Sequence, residues 1–288
     1  MEQVERVAKR YHDPFRFAWR IPECGFRFET RSVRGEKVRC LMHAADHTRY
    51  KWQRPLETHT GLFKEFTSVN LDEASIVKFA NQFGWLQGDE IVPDQSNHLA
   101  GSDTSAFWFS EITEMRRLVN LWERVQSDDL HYLKTHIIYG KVSIQLKVED
   151  ISAEIASRDD PAFDELQNDV VWTALTYIGR CINKKLDNYH VTARLMQDRN
   201  TDRELTLFIN PSSLISGLWF QFARAVEKNR QYRACEWCGV PFVVGGKSAG
   251  GKRSDSKFCT PSHKAAAGQK PIPRSKPKQK HHGRKRHA

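Results

Sequence analysis

Cys235-Glu-Trp-Cys238, a spacer of twenty residues, and then Cys259-Thr-Pro-Ser-His263 constrain this chain more than any other feature. Two close cysteines, followed by a cysteine and a histidine four apart, can converge as three thiolates and one imidazole. That donor set fills a tetrahedral shell around one structural Zn²⁺ and leaves no position open for a substrate. A module this small cannot hold a core alone, so the metal is expected to supply its folding energy. Gly239 permits the tight turn that aims backbone amides at the thiolates, and Phe242 can cover the site. Residues 240–244 read as a short strand. Thr260 reads as an N-cap and Pro261 as a first helical residue, setting Cys259 and His263 at a helix start, where the dipole favours thiolate. Knuckle, hairpin and helix predict a treble-clef or zinc-ribbon-like finger over 231–268.

Charge is segregated around this module. Residues 245–288 hold thirteen Lys/Arg against one acid, Asp255, whereas the rest of the chain holds thirty-two against thirty-four. A positive excess confined to one end points to a polyanionic partner. Pro271, Pro273 and Pro277 break any helix, so 269–288 is expected to be a disordered basic tail. The cations assigned to nucleic-acid contact are Lys247, Lys252, Arg253, Lys257 and Lys264 in and beside the finger. Lys270, Arg274, Lys276, Lys278, Lys280, Arg284, Lys285 and Arg286 extend the set into the tail. Neutralising phosphates and releasing counterions would give affinity without sequence preference, and any base reading would fall to the finger.

Residues 1–230 predict one α+β domain. Phe15, Phe17, Trp19 and Ile21, then Phe26 and Phe28 around Pro22–Gly25, alternate as a β-hairpin. Ile76, Phe79, Ala80 and Phe83 predict a helix over 71–84. Trp108, Ile112, Met115, Val119 and Trp122 predict a longer one capped by Asp103. Val142, Ile144, Leu146 and Val148 alternate as a strand. Asp160-Pro161 opens a helix running towards Leu186, strand-like pieces follow near 189–195 and 204–209, and Asn210-Pro211 starts a helix carrying Leu214, Leu218, Phe222 and Val226. No eighteen-residue apolar run exists, so no membrane span is expected, and the opening residues lack the apolar stretch of a secretory signal. Cysteines gathered for metal, with Cys24, Cys40 and Cys181 scattered, suit a reducing cytoplasm.

Tyr232-Arg-x-Cys235-x2-Cys238-Gly239-x2-Phe242, a basic loop and then Lys257-Phe258-Cys259-Thr260 resemble the C-terminal zinc fingers of bacterial CGNR-type and FCS-type proteins. The resemblance covers 232–264 and implies a helical or mixed N-terminal domain ahead of a DNA-binding finger in a regulator. The chain departs from that pattern in three places. The CGNR tetrapeptide is absent, His263 stands where Cys is usual, and Gly268 and Pro271 shorten the following helix.

Other patterns carry less. Gly246-Lys-Ser-Ala-Gly250 matches a serine-hydrolase elbow but lies inside the metal loop, away from any large sheet. Cys40, His43 and His47 could share a helical face but lack a fourth ligand. Glu111 and Glu114, next to Arg116 and Arg117, read as surface ion pairing. No catalytic residue is assigned. The expectation is a cytoplasmic zinc-finger protein that binds nucleic acid, DNA ahead of RNA, as a transcriptional regulator. Its N-terminal domain would take a small ligand or a protein partner. An enzyme in 1–230 with a merely structural zinc, or a protein–protein adaptor, are the alternatives.

Overall fold

The computed structural model describes residues 18–33, 36–45, 49–87, 103–148, 151–197, 205–245 and 252–268. Among these, helices build one apolar core accompanied by short antiparallel strand groups, an α+β arrangement. Strand β1 (Trp19–Pro22) pairs with β4 (Tyr50–Gln53), and β2 (Phe26–Val33) with β3 (Glu36–His43). The turn expected after Pro22 is present, with Gly25 N–H donating to Pro22 O at 3.2 Å, but it joins strands of different pairs. Ladder length explains the correction: β3 pairs with β2 at eight successive positions, twice what the four residues of β1 can offer.

Helices α1 (Pro55–Thr58), α2 (Leu62–Thr67) and α3 (Glu73–Phe83) follow. Asp72 caps α3, accepting from Ser75 N at 2.7 Å, and Ile76, Phe79, Ala80 and Phe83 are buried as their spacing predicts. In α4 (Ser105–Gln126) the stripe from Trp108 to Trp122 is likewise buried. The cap of α4 is Thr104, whose Oγ1 accepts from Phe107 N at 3.1 Å. Asp103 has a different task. It is buried, and its carboxylate accepts from Leu86 N (2.6 Å) and Gln87 N (3.0 Å), tying the start of α4 to the chain beyond α3. Burial raises its pKa to about 7 against the opposing pull of those two amides.

Helix α5 (Leu130–His136) leads into a three-stranded sheet, β5 (Ile137–Tyr139), β6 (Ser143–Val148) and β7 (Ile151–Ser157), with β6 central. Then come α6 (Phe163–Leu166), α7 (Val170–Asn188), the pair β8 (Thr192–Gln197) and β9 (Leu205–Asn210), and α8 (Leu214–Glu227). Two of these starts fall later than the prolines suggest. Asp160-Pro161 yields only the short α6. The long helix begins where Asp169 accepts from Val171 N and Trp172 N. Asn210 ends β9, and α8 starts at a reciprocal Ser213–Ser216 box. In each case the helix begins where a side chain satisfies its orphan amides. No helix among the described residues is long and apolar enough to cross a membrane.

Glu111 overturns the surface reading given to it. It is only 3% exposed and faces the interior of the helix layer. Its Oε1 accepts from Lys185 Nζ (2.5 Å) and Tyr189 OH (2.7 Å), and its Oε2 accepts from Trp219 Nε1 (2.9 Å). Lys185 also pairs with Glu114 at 2.7 Å. One carboxylate thus joins α4, the end of α7 and α8. Burial pulls the Lys185 ammonium down, but its two carboxylate partners more than offset this and hold its pKa above the usual value. Removing one partner strands the other charge in the core. Lys185→Met should lower unfolding free energy by about 3–5 kcal/mol, measured by urea denaturation. The double variant Glu111→Gln/Lys185→Met should recover part of that loss; no recovery would remove this account.

Candidate metal centre

Helix α8 delivers the chain to a hairpin of β10 (Gln231–Ala234) and β11 (Pro241–Val244). Between them Cys235–Gly239 form a tight turn: Gly239 N–H donates to Cys235 O at 2.8 Å, and Cys235 N–H to Val240 O at 3.1 Å. Gly239 has φ 75°, the left-handed region that a side chain would strain. Lys252 rejoins the edge of β11, with Gly245 N–H donating to Lys252 O at 2.7 Å. Glu236 N–H then donates to Lys257 O at 3.0 Å, drawing the second half of the module beside the turn. Helix α9 (Pro261–Gly268) follows, and Thr260 caps it by accepting from His263 N at 3.2 Å.

This folding brings the four predicted ligands together. One donor atom from each of Cys235, Cys238, Cys259 and His263 lies within 4.8 Å of all the others, a group that can hold a metal ion. Cys238 Sγ is 3.6 Å from Cys259 Sγ. His263 Nδ1 is 3.0 Å from Cys259 Sγ and 3.8 Å from Cys235 Sγ. Beneath them Cys235, Phe242 and Val244 are buried, with Phe258 and Cys259 packed against them. Phe242 therefore lies under the group, as its place in the sequence suggests.

The electrostatics of the group differ from thiol to thiol. Burial alone would push Cys235 up, but amides of Cys259, Cys238 and Trp237 point at its sulfur and bring its pKa down to about 6. The Cys259 amide is the nearest of known distance, at 3.4 Å. Cys259 goes the other way, pushed up to about 12 by burial and by the neighbouring sulfurs of Cys238 and Cys235. Crowded sulfurs cannot all be anionic without a cation among them. Such a donor set could hold a positive ion.

The predicted basic residues divide. Arg253, Lys257 and Lys264 are exposed and Lys252 is half-buried, all within the segment that carries the last two ligands. Arg253 pairs with Asp255 at 3.3 Å and Lys257 with Glu236 at 3.1 Å. Lys247, Lys270, Arg274, Lys276, Lys278, Lys280, Arg284, Lys285 and Arg286 lie outside the described residues, as do 246–250 with the hydrolase-like pattern. Cys40 and His43 stand on β3 instead of a helix. Three apart on a strand, they point to opposite faces. The His43 ring packs on Trp85 with centroids 4.5 Å apart, and His47 lies outside the described residues.

Sequence reasoning passed over two features. Glu111 lies between Trp108 and Met115 on the apolar stripe, which was the available sign of its burial. Trp237, inside the cysteine turn, is 51% exposed. No family model matches the chain, and neither does any curated protein or solved structure.

Because the Cys259 thiol is pushed up to about 12, an ion bound by this group would have to displace its proton. Apparent affinity should therefore rise with pH, by about tenfold per unit for each proton released. Competition with a chelator at pH 6.5, 7.5 and 8.5 measures this. An affinity that does not change with pH would mean that Cys259 is no ligand.

Proposed function

We propose that Cys235, Cys238, Cys259 and His263 bind one structural Zn²⁺ and that the protein is a nucleic-acid-binding regulator. Its finger over 231–268 would be of treble-clef or zinc-ribbon kind. The observation that carries this reading is the convergence of four donor atoms within 4.8 Å. Three sulfurs and an imidazole nitrogen are the soft and borderline donors that suit zinc. A tetrahedron with zinc–sulfur bonds of about 2.3 Å has sulfur–sulfur edges of ~3.8 Å. The Cys238–Cys259 separation of 3.6 Å lies close to that value. All four positions are protein ligands, so the ion serves to hold the fold and has no site for substrate.

The partner follows from charge. The ligand-bearing segment begins a stretch of thirteen Lys/Arg and one acid that runs to residue 288. Such a stretch matches a phosphate backbone better than a protein surface of mixed charge. The tail would supply sequence-independent holding, and the finger would orient the protein on its target. The resemblance to CGNR-type and FCS-type fingers favours DNA ahead of RNA and a bacterial, cytoplasmic setting. The α+β domain would then sense a ligand or bind a partner.

Purified protein should carry one zinc per chain, and Cys235→Ser should abolish it. Binding to duplex DNA should weaken steeply with salt. Deleting 269–288, which removes eight Lys/Arg, should flatten the plot of log affinity against log salt by up to about seven. Fluorescence anisotropy at several salt concentrations reads this slope. A full-length protein with no salt-dependent affinity for DNA or RNA would end the proposal.

A further inference from the structure

We infer that Trp237 is a stacking platform for an unpaired nucleobase, so that the nucleic acid bound by the finger is single-stranded at the point of contact. The inference rests on the reading of 231–288 as a nucleic-acid-binding region and names the form of its ligand.

The argument begins with where the indole sits. Trp237 occupies the turn between Cys235 and Cys238, and half of its surface is open to solvent. The module's own apolar cluster is made by Cys235, Phe242 and Val244 with Phe258 and Cys259, and Trp237 is outside it. Among the described residues its ring has no aromatic or cationic partner. Trp52 and Trp172 are exposed as well, and Arg20 is placed 6.0 Å from the Trp52 ring centroid. A large apolar ring left in water is costly, about 25 cal/mol for each Å², and the half of Trp237 that stays open bears that cost until a partner covers it.

The backbone beneath the ring is held firmly. Trp237 N–H points at the Cys235 sulfur, both flanking cysteines belong to the metal group, and Glu236 N–H is bonded to Lys257 O. An aromatic side chain on a rigid, metal-anchored turn is pre-organised to stack, with little ordering left to do on binding.

The surroundings select the ligand. The acid next to Trp237, Glu236, is already paired with Lys257 at 3.1 Å. Arg233, two residues before Cys235, and Lys264, the residue after His263, are exposed within the same small unit. Beyond them lies the basic stretch to residue 288. A module that exposes both a ring and cations meets the two demands of single-stranded nucleic acid, a π-face for the base and positive charge for the backbone. A duplex meets only the second, because its bases are already stacked on one another and offer the indole no open face. A protein partner that used the ring would have no need of the cations.

The test uses the full-length, zinc-loaded protein with labelled dT12, U12 and a hairpin duplex, at one fixed salt concentration. Trp237→Ala should weaken binding to the single strands by roughly 5- to 100-fold and leave duplex binding within about twofold. Trp237→Phe, which keeps a ring, should recover most of the affinity. Adding dT12 should quench wild-type tryptophan fluorescence, and the quench should shrink in Trp237→Phe. The dT12 and U12 arms separate DNA from RNA as the source of the base. Zinc content is measured for each variant. If the alanine variant loses its metal, Trp237→Leu, which keeps apolar bulk without a ring, carries the comparison.

Single-strand affinity unchanged in a zinc-retaining variant overturns the inference. So do equal losses on single strand and duplex. In both cases salt-dependent binding by the wild type leaves the broader reading standing. A wild type that binds none of the three probes takes both down.

Discussion

The ring of Tyr232, three residues before Cys235, lies edge-on to Phe63 with centroids 5.3 Å apart and 6.5 Å from the Trp122 ring. Its hydroxyl donates to Thr60 O at 3.3 Å, and Lys64 Nζ stands over its face at 5.2 Å. Nearby, Gly61 approaches β11 so closely that an added Cβ would meet Pro241 Cβ and O at 2.9 Å. The cysteine turn is therefore not hung on a loose connection. It leaves the main core at a fixed point and in a fixed direction, set by α2, α4 and the end of α8. Gln126 Nε2 reinforces this by donating to Asn229 Oδ1 and Arg230 O, which fastens the link between α8 and β10 to the end of α4. Under the proposed function, whatever the finger binds would be presented at a defined place on the α+β body.

The second half of the module is held to the hairpin by the bonds of Lys252 to β11 and by Phe258 and Cys259 packing on its small apolar cluster. Helix α9 has eight residues and none of them is buried. An isolated helix of that length does not persist in water, because nucleation costs more than a few hydrogen bonds return. Its tie to the hairpin runs through Cys259 and His263, two of the four donors, and through the Glu236–Lys257 backbone bond. A cation at the centre does two things at once under the proposed function. It offsets the burial and the neighbouring sulfurs that keep Cys259 protonated, and it joins α9 to β10 and β11. Folding of 252–268 and metal binding are then a single event, as in other small metal-held modules.

How far the sequence discloses this structure depends on the range of the interaction concerned. Ligand spacing, the Thr260 cap and the apolar stripes of α3, α4 and α8 are local, and each was legible because a few neighbouring residues decide it. Strand partners were not. Ile21 to Phe28 alternates well whether β2 pairs backwards with β1 or forwards with β3, and the longer ladder decides only when β3 is considered. Asp103 and Glu111 were misjudged for a related reason. Both look like ordinary surface or capping acids until donors distant in sequence arrive, Leu86 and Gln87 for one, Lys185, Tyr189 and Trp219 for the other. A buried acid announces itself in sequence only by interrupting an apolar stripe, a weak sign beside the ion pairs its neighbours offer.

The pairing of charge within the finger has a consequence for recognition. Lys257–Glu236 and Arg253–Asp255 are exposed pairs, with side chains more than half open to water, and such pairs contribute about 0–1 kcal/mol at most. They hold the cations near the module without locking them there, so a phosphate can replace either carboxylate at small cost. The finger over 231–268 carries six Lys/Arg against two acids, and residues 269–288 add eight Lys/Arg with no acid. Affinity and discrimination are thereby given to different parts of the chain under the proposed function. The tail would set how tightly polyphosphate is held at a given salt concentration. The finger, less charged than the tail, would set what else the ligand must have, and a rigid turn would allow one exposed ring to distinguish an open base from a stacked one.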